Sequence, residues 1–153
     1  MSVRELTIFD KIVSGDIPAY TVWEDADYMA FLTIFPNTPG FTVLMPKTYQ
    51  GDYVFSMTDE QYKGLMKATK KVANILEKAF DTPRVAIIVE GTGVAYAHVK
   101  LVPLHGDLAG QTEVWSTQKE FNEEYMGWIT SVEGPRMDDA TLKDIQAKIR
   151  SAQ

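Results

Sequence analysis

Two histidines and no cysteine occur among the 153 residues. Disulfides, thiolate nucleophiles and cysteine zinc sites are excluded, and imidazole chemistry rests on His98 or His105. His98 stands in Ala95-Tyr96-Ala97-His98-Val99-Lys100-Leu101, where residue types alternate strictly. A strand's period of two sends Ala97, Val99 and Leu101 to one face and Tyr96, His98 and Lys100 to the other. An imidazole between a phenol and an ammonium is suited to phosphate. The Lys100 charge disfavours imidazolium and keeps His98 neutral and nucleophilic near neutral pH. Lys100 itself can bind phosphoryl oxygens or protonate a leaving group. The same spacing also describes the solvated face of an ordinary amphipathic strand. His105, beyond Pro103, reads as a loop residue, and without a carboxylate cluster at ligand spacing no metal site is expected. Gly91-Thr92-Gly93 is too short for a dinucleotide or P-loop cradle and reads as a tight turn.

These residues need a scaffold, and the composition provides for one soluble globular domain: 45% of residues are apolar and 24% charged. The net charge of −6 draws the chain as a whole to neither nucleic acid nor an anionic membrane, so any phosphate must meet a local site. No apolar run is long enough to span a bilayer, and the charged start MSVRELTIFDK is unlike a secretory signal, so a cytoplasmic protein is expected.

Ile8 to Ser14 has helical spacing and stops at Gly15. Tyr20 to Glu24 and Tyr28 to Ile34 read as a hairpin about Asp25-Ala26-Asp27, and Phe41 to Met45 as a third strand. Thr58-Asp59-Glu60-Gln61 has the form of a capping box, opening an amphipathic helix that ends before Asp81-Thr82-Pro83. Its lysines Lys63, Lys67, Lys70 and Lys71 read as a solvated face. The apolar run Val85 to Val89 predicts a central strand covered on both faces, and Val94 to Val102 the next strand. From Gly106 onward acids outnumber bases by nine to five, with helical pieces expected around Thr117 to Ile129 and Asp139 to Arg150. Trp115 and Trp128 in this tail suit either an interface, a pocket cover or plain burial, and Leu142, Ile145 and Ile149 a packed stripe.

The segments FDKIVSGDIPAYTVWED, AFLTIFPNTPG, FTVLMPKTY and HVKLVP, in this order from about Phe9 to Pro103, resemble the histidine triad (HIT) superfamily of nucleotidyl hydrolases and transferases. The resemblance implies an α+β fold: a mostly antiparallel sheet of about five strands, one long packed helix, a short N-terminal helix and a partly helical C-terminal extension. A HIT-like domain over 1–105 and an extension over 106–153, packed on that domain or at a dimer interface, follow from it. So does a homodimer formed through the long helix and a sheet edge.

Three histidines alternate with apolar residues in the family signature, and only the middle one remains here, as His98. Its implied role is to attack the α-phosphorus of a purine nucleotide conjugate, giving a nucleotidyl-histidine that water hydrolyses; no metal or cofactor is implied. The conjugate would be a phosphoramidate, a phosphosulfate or a dinucleoside polyphosphate. Lys100 takes the third position and keeps a donor, while Tyr96 takes the first and offers only a hydroxyl of high ordinary pKa. Tyr49 stands where a further histidine is usual, Thr33 where an acid commonly holds the ribose, and Val89 where an asparagine is frequent. Phe9, Ile12, Ile17, Phe31 and Ile34 match the wall of the base pocket. The replaced positions also support a rival expectation, a HIT-fold binding or assembly module that recognises a nucleotide or another anion without catalysis.

Overall fold

The computed structural model describes residues 4–110, 117–125, 127, 136 and 140. The chain divides into two compact units, Met1–Thr112 and Glu113–Gln153. The first is an α+β unit whose elements are α1 (Ile8–Ser14), β1 (Tyr20–Glu24), β2 (Tyr28–Leu32), β3 (Thr42–Pro46), α2 (Asp59–Phe80), β4 (Val85–Ile88) and β5 (Val99–Pro103), with 3-10 turns at Val54–Ser56 and Gly106–Gly110. All strand pairs are antiparallel, in the order β1-β2-β3-β5-β4.

Local chemistry sets the ends of these elements. Thr7 and Asp10 cap α1 reciprocally: the Thr7 hydroxyl accepts from the Asp10 backbone N–H, and Asp10 Oδ2 accepts from the Thr7 N–H at 2.7 Å. Gly15 then closes the helix in the left-handed region at φ 85°. Thr58 and Gln61 form the expected box at the start of α2. In the β1–β2 turn, Asp25 Oδ1 accepts from the N–H groups of Asp27 and Tyr28, so the acidic turn is built by its own side chain.

The sheet buries both faces. On one, Leu65, Ala68, Val72 and Leu76 of α2 pack with Ala30, Leu44, Val99 and Leu101. On the other, Phe9 of α1 packs with Phe31, Val43, Met45 and Tyr96. Neighbours Ala30 and Phe31, Val43 and Leu44, and Tyr96 and Ala97 divide between the two clusters as strand alternation requires.

Three expectations need correction. Val85–Ile88 is an edge strand and not a central one, and Ile87 is 44% exposed. An all-apolar run reports hydrophobic surroundings without saying whether a neighbouring strand supplies them. The next strand begins at Val99, not Val94, because Gly91 and Gly93 take left-handed conformations and the chain after them bonds locally. There the Tyr96 N–H donates to Val94 O, and the Ala97 N–H to Gly51 O at 2.9 Å. In the second unit, Thr117 to Tyr125 form no helix; Phe121 and Tyr125 stay exposed, so no buried apolar face offsets the cost of nucleating one. The remainder of that piece, the Asp139 to Arg150 piece except Ala140, Trp115, Trp128 and the Leu142, Ile145, Ile149 stripe lie outside the described residues.

Candidate functional site

On the α1 side of the sheet lies a cavity of about 330 Å³. Phe9, Ile12 and Ile17 line it from α1 and the turn after it, Phe31 and Val43 from the sheet, and Thr33 and Ile34 from the segment after β2. Thr92, Gly93 and Val94 line it from the β4–β5 connection, together with His98 and Lys100. The lining is mostly apolar. Among the described residues it holds one cationic side chain, Lys100, and no acidic one.

His98 is nearly buried, and its ring meets Phe9 edge-on with centroids 5.2 Å apart. Its Nδ1 lies 2.6 Å from the Tyr96 carbonyl oxygen. A carbonyl can only accept, so Nδ1 carries the proton and Nε2 bears the lone pair. Among the described residues Nε2 has no hydrogen-bond partner. Burial holds His98 below the ordinary imidazole pKa; the Tyr96 carbonyl opposes this, Lys100 adds to it and Glu90 opposes it. The ring is therefore neutral at neutral pH, with the lone pair on Nε2.

Lys100 Nζ donates to Glu90 Oε2 at 2.6 Å, with both side chains about one quarter exposed. Glu90 does not line the cavity. Its place follows from the ladder: Ile88 pairs with Lys100, Val89 turns to the core on the α2 side, and Glu90 returns to the Lys100 side. Sequence reasoning missed Glu90, because parity puts residue 90 on the face of residue 88 but only the register sets that face beside Lys100.

The expected pocket residues Phe9, Ile12, Ile17, Phe31, Thr33 and Ile34 all line the cavity with His98 and Lys100. Thr33 Oγ1 accepts from the Phe35 N–H, shaping the turn at the mouth. Tyr96, Tyr49 and Val89 do not line it. The Tyr96 hydroxyl is buried and donates to Pro46 O at 2.7 Å; burial pushes its pKa up to about 12. Tyr49 packs edge-on against Tyr96 and lies beneath the Arg4 guanidinium, 3.6 Å from its ring centroid. Val89 packs with the α2-side core. Arg4 binds Asp10 through both terminal guanidinium nitrogens at 2.8 and 2.6 Å and holds that carboxyl well below the usual range. No spacing rule connects residues six apart, so this pair was not legible. His105 Nε2 donates to Pro39 O, and its ring meets Phe80 edge-on. Among the described residues no group of three His, Asp or Glu could hold a metal ion, and no helix is long and apolar enough to cross a membrane.

The family model for the HIT domain matches residues 14–108. The chain is similar to "Protein hit" of Bacillus subtilis, with 33% identity over 125 residues, 78% of this chain and 86% of that protein. It is also similar to the adenosine 5'-monophosphoramidase hnt1 of Schizosaccharomyces pombe, with 28% identity over 146 residues, 94% of this chain and 98% of that one. A crystal structure of a Streptococcus mutans protein superposes with a TM-score of 0.68 at 29% identity, covering 98% of this chain and 87% of that chain. The matched segment runs from the end of α1 through β5 and includes His98 and Lys100, and on this match the chain belongs to the HIT family.

Proposed function

We propose that the chain is a HIT-type nucleotide-binding hydrolase that acts on purine nucleotide conjugates through a nucleotidyl-histidine intermediate at His98. The observation that carries this reading is the Nδ1 contact to the Tyr96 carbonyl, which leaves the Nε2 lone pair available on a cavity-lining ring. The apolar walls suit a nucleobase, and the Schizosaccharomyces pombe relative's name supports a phosphoramidate as the substrate.

In the proposed reaction Nε2 forms a bond to the α-phosphorus as the bond to the leaving amine breaks. Lys100 passes a proton to that amine. The Nδ1–H stays on the ring, and the Tyr96 carbonyl stabilises the positive charge of the phosphorylated imidazole. Water then attacks phosphorus, returns a proton to Lys100 and releases the nucleoside monophosphate with free His98. Tyr96 and Tyr49 serve here as supports, Tyr96 through its carbonyl and its anchored hydroxyl. Two copies joined at the α2 and β4 side form the working dimer in this reading, since β4 ends the sheet with an apolar strand.

The test is mass spectrometry of the chain quenched during turnover of adenosine phosphoramidate. An AMP adduct mapped to His98 is expected. Absence of both adduct and turnover, with AMP still raising the thermal midpoint, would replace the hydrolase reading with that of a binding module.

The acid side of the rate profile gives a second check. The reactive form is neutral His98, so adduct formation rises with pH through its pKa. Because burial lowers that pKa, the half-maximal rate is expected below about pH 6.5, measured by rapid quench. A midpoint above that value contradicts a buried, neutral nucleophile.

A further inference from the structure

The charge of the cavity places a demand on its ligand. With a chain of net charge −6, a phosphate must find its positive charge locally. Lys100 is the one cation among the described lining residues, and it is already paired with Glu90. Arg4, packed on Tyr49 beside Tyr96, is bound to Asp10 and does not line the cavity. The phosphate subsite therefore offers hydrogen-bond donors with almost no net charge. An ammonium has three N–H donors; one reaches Glu90, and two remain for phosphoryl oxygens.

We propose that Glu90 is a specificity-determining residue, which by neutralising Lys100 restricts the subsite to phosphoryl groups of low negative charge and favours nucleoside phosphoramidates over polyphosphates. The inference rests on the nucleotide-site reading above and narrows its substrate class. A phosphoryl group held by Lys100 sits within one side chain's reach of the Glu90 carboxylate, since Oε2 is 2.6 Å from Nζ. Each further negative charge on the ligand adds repulsion from Glu90, with no second cation among the described lining residues to offset it. A single phosphoryl group bearing a neutral amine meets the least of this repulsion.

Isothermal titration with AMP, ADP and ATP tests the idea, because the three share base and ribose and differ in charge. At low ionic strength the wild-type chain is expected to lose about fivefold in affinity with each added phosphate. In Glu90→Gln, ATP is expected to gain at least about tenfold relative to AMP. Glu90→Asp, which keeps the carboxylate, should preserve the wild-type order; Glu90 is partly exposed, so both changes fit its surroundings. An ATP-to-AMP ratio unchanged in Glu90→Gln, or wild-type chain binding ATP as tightly as AMP, overturns the proposal while leaving the nucleotide site intact. Failure of all three to bind the wild-type chain instead removes the nucleotide-site reading, and this inference with it.

Discussion

His98→Ala is expected to eliminate the nucleotidyl adduct and to lower kcat/KM for adenosine phosphoramidate by at least about 10³-fold. The size of the effect follows from the lack of a substitute. No carboxylate lines the cavity among the described residues, Asp10 is bound bidentately by Arg4, and Tyr96 has its hydroxyl buried against Pro46. His105 is tied to Pro39 O and packed on Phe80, and it does not line the cavity. Removing the imidazole also leaves room beside Phe9, so added imidazole should restore part of the turnover without restoring the protein adduct. Paired measurements of adduct and turnover check this. Adduct at another residue, or turnover within tenfold of wild type, would show that the ring is a bystander.

Phe9→Ala should produce the largest stability loss tied to the site. The ring is buried and meets Phe31, Tyr96 and His98 edge-on, with centroids 5.6, 5.8 and 5.2 Å away. Truncating such a phenylalanine costs about 3–5 kcal/mol, and the space left here would open directly into the cavity. Urea unfolding is expected to show a lower midpoint at unchanged slope. Activity should fall with it, because the ring that flanks His98 is also a wall of the cavity. Phe9→Leu keeps most of the volume and should cost less than about 1.5 kcal/mol. A loss below 1 kcal/mol for Phe9→Ala would mean that α1 contributes little to this face.

Features decided within a few residues were legible from the sequence. The Thr58–Gln61 box, the Gly15 stop and the Asp25 turn all act over one turn of chain, and all stand where their residue types predict. The two faces of the His98 segment were also legible, since alternation held even where the ladder had not begun. Features that depend on distant partners were not. The position of β4 at the sheet edge is set by which strand pairs with β5 on its other side, and that is β3. The Tyr96 hydroxyl finds its acceptor in Pro46 O, fifty residues away, a partner that residue type and spacing could not name. Glu90 reads as a turn acid until the register places it beside Lys100.

The edge position of β4 has a consequence for how stability should be measured. A strand that leaves Ile87 44% exposed and, among the described residues, one row of backbone donors and acceptors without a neighbouring strand holds part of its free energy in whatever pairs with it. If a second copy supplies that pairing, mass action makes the thermal midpoint rise with protein concentration. A midpoint that falls by several degrees over a hundredfold dilution would show association contributing to the fold, while a constant midpoint would show the unit Met1–Thr112 standing without it. Stability differences between variants of this chain then acquire meaning only at a stated concentration.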